Sequence, residues 1–296
     1  MQLAHRRPAT PRPVLMTPLH SSNTLDLFDL SARVAIVTGG GGLLGAEFAR
    51  TLAEAGAAVV IADLDLETAS LTAGEIRRGG GQCLAVQADV TKPDSVQKMV
   101  TATLQAFGRL DVLVNSAALD PKYDPQALDS VQAGSGSFEN FPLDAWNQAL
   151  AVNLTGMFLC CQAAVQPMLA QGRGVIVNLC SIYGMVGPDQ RLYQRPGEPA
   201  QYKPVYYSVT KAGVLGLTLY LAAYYAGKNI RVNALTPGGV YNGHDPDFAQ
   251  AYSARAVLGR MAQKDEMNGA VLFLASDASA YMTGANLVVD GGWTTW

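Results

Sequence analysis

Histidine is scarce in this chain: 296 residues contain three, His5, His20 and His244. They are too scattered for a zinc pattern, and none neighbours a nucleophile motif, so no metal site is expected. The four cysteines, Cys83, Cys160, Cys161 and Cys180, also lack metal-ligand spacing. They read as small core residues of a reducing compartment, which makes the cytoplasm the expected location. Charge is sparse as well. Only 15% of residues are charged, and 21 Lys+Arg against 24 Asp+Glu give a net charge of −3 with no block of one sign. Nucleic acid and membrane surfaces are therefore not expected partners. No uninterrupted apolar run approaches the roughly 18 residues of a spanning helix. Acidic residues are missing from the first 25 positions, which carry Arg6, Arg7 and Arg12, while Pro8, Pro11, Pro13 and Pro18 break any amphipathic helix there. Residues 1–27 are expected to be a flexible tail, and Met16 offers a later start.

What remains is rich in small and apolar residues, at 49% hydrophobic with 30 glycines. From Arg33 onward, short β-branched runs alternate with longer helical stretches. VAIVTG, AVVIAD, QCLAVQAD, DVLVNSA, GVIVNLC, IRVNAL and LVVDGG read as seven strands. Nearly continuous apolar runs are the mark of parallel strands buried on both faces. The expected fold is α/β, a doubly wound, Rossmann-type, seven-stranded parallel sheet flanked by helices, in one domain over 28–296. Three segments, 118–141, 183–205 and 240–258, are expected to be substrate loops. In such sheets ligands bind beyond the carboxyl ends of the strands, and long loops there are more often functional than filler.

Between the first strand and the following helix stand Gly39, Gly40, Gly41, Gly42 and Gly45. Glycine permits a tight turn and close approach to a pyrophosphate, whose charge is favoured at the positive end of the helix. A carboxylate at the end of the second strand, Asp63, can accept hydrogen bonds from an adenosine ribose and would repel a 2′-phosphate. NAD is therefore expected over NADP, although Asp63 could be a solvated loop acid and Asp65 lies close by. Asp89, ending the third strand, could meet the adenine, and Asn115 ends the fourth.

The stretch PVYYSVTKAG, 204–213, offers two tyrosines ahead of a lysine. On a helix, positions four apart lie about 40° apart around the axis and positions five apart about 140°. Tyr207 therefore shares a face with Lys211, and Tyr206 does not. A nearby ammonium favours the phenolate of a tyrosine, so Lys211 is placed to lower the Tyr207 pKa towards working pH. Such a phenol could exchange a proton with an alcohol as a hydride leaves or arrives. Two core aromatics and a snorkelling lysine are the alternative. Ser181, just past an apolar strand, could donate to the substrate oxygen. Asn153, inside an apolar helix, fits a structural bond to backbone and, compatibly with it, a water held behind Lys211.

Taken together, TGGGGLLG, Asp63, ADV at 88–90, NSAA at 115–118, Asn153, Ser181, Tyr207-x-x-x-Lys211, PGG at 237–239 and VDGG at 289–292 resemble the short-chain dehydrogenase/reductase family. The resemblance runs from about Leu30 to Trp296. It implies NAD(P)-dependent alcohol/carbonyl oxidoreduction, with Tyr207 as general acid/base, Lys211 on the nicotinamide ribose, Ser181 orienting substrate and Asn153 supporting a proton relay. It also implies a cofactor surface made by Gly39, Gly42, Leu43, Leu44, Gly45, Asp63, Asp89, Val90, Asn115, Ser116, Ala117, Tyr207 and Lys211, with Pro237, Gly238 and Val240 beside the nicotinamide. Leu43 stands where the family usually has glycine, NSAA replaces NNAG, and Asn242 stands where many members have threonine.

The loops carry Asp120, Gln190, Arg191, Tyr193 and His244, which are assigned to the substrate side. Their polarity suits a sugar, sugar acid, sugar phosphate or polyol, and segments such as GPDQRLY look like sugar-modifying members of the family. Arg191, Lys203 and Lys122 are candidates to meet a carboxylate or phosphate. The alternatives are a 3-oxoacyl-thioester reductase and an NAD-binding protein without turnover. The family resemblance implies a dimer or tetramer built on the helices beginning near Pro142 and Tyr206, with Trp293 and Trp296 expected at a subunit interface.

Overall fold

The computed structural model describes residues 23–120, 137–194, 197 and 200–296. The greater part of the expected tail and part of the first two loops, including Lys122, lie outside the described residues.

Seven strands form one parallel sheet: β1 Val34–Thr38, β2 Ala58–Asp63, β3 Cys83–Gln87, β4 Val112–Asn115, β5 Gly174–Leu179, β6 Ile230–Pro237 and β7 Asn286–Val289. Their spatial order is β3-β2-β1-β4-β5-β6-β7, and every pair is parallel. The order reverses between β1 and β4, so the crevice beyond their carboxyl ends lies at the switch point where this architecture binds ligands. Strands β1, β4 and β5 are buried at every residue, as their uninterrupted apolar text requires when helices cover both faces.

One layer contains α1 Leu43–Glu54, α2 Leu66–Arg78 and α8 Asn268–Ala275. There Phe48 and Leu52 pack with Val37, Val59 and Val271. The other contains α3 Pro93–Phe107, α5 Met157–Gln171 and α6 Val205–Tyr224. There Met99, Cys160 and Met168 pack with Ile36, Leu113 and Ile176. Each fully buried side chain of this size contributes about 1.5–3 kcal/mol. A third cluster, largely aromatic, gathers Tyr183, Tyr193, Phe248, Tyr252 and Trp293 above the carboxyl edge of the sheet.

The helix expected near Pro142 runs without a break from α4, Leu143–Leu150, through a π-helical turn, Ala151–Gly156, into α5. By length and composition this 29-residue helix could cross a membrane, and half of its most apolar window is buried. The hydropathy comes from a core-facing stripe rather than a single apolar run: Met157, Cys160, Cys161, Ala164, Val165 and Met168 are buried against the sheet.

Candidate active site

A cavity of about 670 Å³ lies along the carboxyl ends of the strands. At one end β1 delivers its chain to α1 through a turn that tolerates only glycine at two points. Gly39 has φ +64°, and a Cβ there would lie 2.8 Å from the Ala117 Cα. A Cβ on Gly45 would lie 2.1 Å from the Gly39 carbonyl oxygen. Gly42 caps α1 without a side-chain acceptor, so the first amides of the helix keep their positive field for an anion. Thr38 Oγ1 accepts from the amides of Ser116 and Ala117 at 3.2 and 3.3 Å, tying the β1 and β4 ends together beneath the cavity.

Asp63 and Asp65 separate cleanly. Asp65 caps α2, accepting from the amides of Glu67 and Thr68. Asp63 accepts from Gly41 N at 2.9 Å and Asp65 N at 3.1 Å, which points its carboxylate along the glycine turn into the cavity. Asp89 also lines this end, held by Thr91. Its carboxyl lies below the usual range, chiefly because the Thr91 hydroxyl donates to it. Among the described lining residues this end has no lysine or arginine. The glycine turn, the uncapped helix and the carboxylate fit an adenosine diphosphate moiety.

At the other end α6 brings Tyr207 and Lys211 to one buried face. Ser181 and Tyr207 both line the cavity, and the Ser181 hydroxyl oxygen accepts from Tyr183 N at 3.3 Å. The Lys211 ammonium donates to the Leu179 carbonyl at 2.9 Å and lies 5.7 Å from the Tyr207 ring centre. The expected lowering of the Tyr207 pKa is not seen. Burial drives it well above the ordinary tyrosine value, the Asp120 charge adds to this, and the nearby Ser181 hydroxyl opposes it. Burial likewise lowers the Lys211 pKa. Helical spacing sets a shared face but not the desolvation of both groups, and desolvation dominates here.

Asn153 makes the expected structural bonds to backbone. Its side chain accepts from Leu119 N at 2.6 Å, donates to Leu119 O at 3.0 Å, and donates to Thr210 Oγ1 at 3.3 Å. It clamps the segment leaving β4 onto α6.

Of the residues assigned to the cofactor, Gly39, Gly42, Leu43, Leu44, Gly45, Asp63, Asp89, Val90, Ser116, Ala117, Tyr207, Lys211, Pro237, Gly238 and Val240 line the cavity. Asn115 does not. It donates across the sheet to Asn178 Oδ1 at 2.9 Å, and Asn178 donates to Thr218, because a buried amide between strands must find a partner there. On the substrate side Asp120, Tyr193 and His244 line the cavity, while Gln190 and Arg191 do not. Gln190 bonds both backbone groups of Lys203. Arg191 is chelated by Asp189 and its side chain is 84% exposed.

The cavity's aromatic wall departs further from the polar loops expected. Tyr183, Tyr193, Tyr202, Phe248 and Tyr252 line it. The Tyr193 hydroxyl donates to that of Tyr183 at 3.2 Å, and Tyr252 accepts from Gly239 N at 2.6 Å. His244 stacks on Phe248 at 5.3 Å. The polar side chains of the loops mainly hold one another: Asp189 pairs with Arg191 and Arg255. The spacing Phe248-x-x-x-Tyr252 places both rings on one face of α7, Pro246–Ser253, and was the available sequence signal. Trp293 is not at the surface. It is buried between Tyr183 and Tyr252 of its own chain, whereas Trp296 is 79% exposed. Tyr206 packs on Phe141 outside the cavity.

A family model described as enoyl-(acyl carrier protein) reductase matches residues 42–294. Cis-4-hydroxycyclohexanecarboxylate dehydrogenase of Sinomonas cyclohexanicum is 40% identical over 88% of this chain and 96% of its own length. D-threitol dehydrogenase of Mycolicibacterium smegmatis is 36% identical over 90% and 95%. Among solved structures, a gluconate 5-dehydrogenase from Burkholderia cenocepacia in complex with NADP and tartrate superposes with a TM-score of 0.79. It is 33% identical, covering 93% of this chain and all of that one. Sequence, sheet order and relatives agree that this chain belongs to the short-chain dehydrogenase/reductase family, nicotinamide-dependent oxidoreductases that act on CH–OH groups.

Proposed function

We propose that the protein transfers a hydride between NAD(H) and a secondary alcohol or ketone carried on a compact, partly oxygenated ring. The aromatic wall around Ser181 and Tyr207 carries this reading. Flat rings offer broad, rigid contact to a ring face, carbocycle or sugar alike. The rims contributed by Asn242, His244 and Gln201 leave polar groups for further hydroxyls. Relatives named for a hydroxycyclohexane and for the polyol threitol support the same class.

In oxidation the Tyr207 phenolate takes the hydroxyl proton, Ser181 donates to the same oxygen, and the Lys211 charge favours the phenolate. The bound nicotinamide supplies the hydride acceptor, and in reduction each proton movement reverses. The convergence of these three side chains argues against a protein that binds NAD without turnover. Asp63 supports NAD, because its carboxylate would repel a 2′-phosphate. The family model's description supports one rival, reduction of an acyl-thioester ketone or enone. The four unpaired thiols fit the cytoplasm.

Cyclohexanediols, hydroxycyclohexanecarboxylates, aldoses, sugar acids, sugar phosphates and linear polyols, each offered with NAD and with NADP, test this by NADH or NADPH absorbance. Ring alcohols with NAD are expected to give the highest kcat/KM. Turnover confined to acetoacetyl thioesters with NADPH would install the rival instead.

A further inference from the structure

Three cations were available to meet an anionic group on the substrate, and the structure separates them. Arg191 faces solvent beside Asp189, and Lys122 lies outside the described residues. Among the described residues lining the cavity, the lysines are Lys211, which is turned to the Leu179 carbonyl, and Lys203. The Lys203 side chain is 12% exposed, with its ammonium 4.0 Å above the centre of the Tyr207 ring. The backbone is pinned on both sides: Lys203 N donates to Gln190 Oε1 at 2.8 Å, and Gln190 Nε2 donates back to Lys203 O at 3.2 Å. Pro204 then caps α6, so Lys203 sits one turn ahead of Tyr207 on the chain that enters the helix.

The partner of this ammonium is Asp120, at 2.6 Å. The two ends of the pair differ in depth: Asp120 is 52% exposed whereas Lys203 is almost covered. An ammonium has three donors, of which Asp120 engages one. Lys203 lines a cavity with a largely aromatic wall on the substrate side, where a charge-assisted bond is strong.

We propose that Lys203 reads charge on the substrate, receiving a carboxylate on the ring while Tyr207 and Ser181 engage its hydroxyl, and that Asp120 occupies the ammonium when no such carboxylate is bound. The proposal rests on the ring-alcohol reading of the site. It makes Lys203 a specificity residue: a carboxylate joins or displaces Asp120 on the ammonium, whereas an uncharged ring leaves the pair intact. If the pair were only a strut between two loops, substrate charge would not matter.

The test compares kcat/KM with NAD for cis-4-hydroxycyclohexanecarboxylate and for uncharged 4-methylcyclohexanol. The enzymes are the parent, Lys203→Met, Lys203→Arg and Asp120→Asn. The preference for the carboxylate is expected to fall about 10- to 100-fold in Lys203→Met, mainly through KM, and to be largely restored in Lys203→Arg. Asp120→Asn, which removes the competing anion, is expected to raise it. Equal losses on both substrates in Lys203→Met, or a preference reduced by Asp120→Asn as well, would overturn the proposal. Should the parent oxidise neither alcohol, the ring-alcohol reading fails. The role of Lys203 is then decided by calorimetry with cyclohexanecarboxylate and the NADH-bound enzyme. Binding about tenfold weaker in Lys203→Met supports it, and unchanged binding refutes it.

Discussion

Tyr207 is buried in a site that disfavours its charged form, so its working protonation state depends strongly on pH. Oxidation needs phenolate, which is depleted as pH falls below the phenol pKa, while reduction needs phenol, which is depleted as pH rises above it. With that pKa raised by burial and by the Asp120 charge, kcat/KM for alcohol oxidation is expected to climb into the alkaline range and kcat/KM for reduction to fall there. Lys211→Met, which removes a cation 5.7 Å from the ring, should move both limbs to still higher pH, as pH–rate profiles would show. An oxidation rate flat across this range would mean that another group moves the proton. The choice of Tyr207 over Tyr206 was legible because it follows from the angle between positions four apart on a helix. The aromatic wall was not, since Tyr183 and Tyr252 lie 69 positions apart in the chain and meet only through the loops over β5 and β6.

At the scale of elements, all seven strands could be read from their apolar runs, most plainly β1, β4 and β5, because parallel strands covered on both faces have no polar side to interrupt them. The π-helical turn between α4 and α5 was hidden, since AVNLTG carries no proline or special glycine pattern to announce it. Such turns occur often at functional sites, and this one bears Asn153. Asn153→Ala is expected to leave both backbone groups of Leu119 short of a partner, at a cost of about 1–3 kcal/mol. Calorimetry should show a Tm lower by roughly 2–10 °C. Because Leu119 precedes Asp120, KM for substrate should change as well. An unaltered Tm together with an unaltered KM would contradict the clamp.

Across the whole molecule, the edge of the sheet opposite the site is held by charge. Asp277 bridges Arg33, just before β1, and Arg173, just before β5, at 2.5 and 2.6 Å. Arg231 of β6 donates to the carbonyls of Leu274 and Ser276. Burial alone would raise the Asp277 pKa, but the Arg33 and Arg173 guanidiniums outweigh it and hold the carboxyl below its usual range. A depressed folded-state pKa gives stability that is present above the unfolded value, near 4, and is lost as pH falls through the folded one. Asp277→Asn should therefore lower Tm at neutral pH, and its gap to the parent should narrow below about pH 4. A gap that persisted in acid would point to packing. On the outer surface, α5 and α6 expose Phe158, Leu169, Leu219, Tyr220 and Tyr224, side chains of the kind a second copy would cover. Light scattering is expected to give a dimer or tetramer, and a clean monomer would remove that expectation. The terminal tryptophans show the limit of sequence reading at this scale. Exposure near a chain end was the natural expectation, yet Trp293 fills the subunit's own aromatic cluster.

The central claim, that Tyr207 moves the proton while other residues hold the cofactor, is tested most directly by Tyr207→Phe with a ring alcohol that the parent oxidises. NADH binding, followed by fluorescence, is expected to stay within about twofold of the parent, while kcat falls by about 10²–10⁴-fold. Full turnover in that variant would contradict the account.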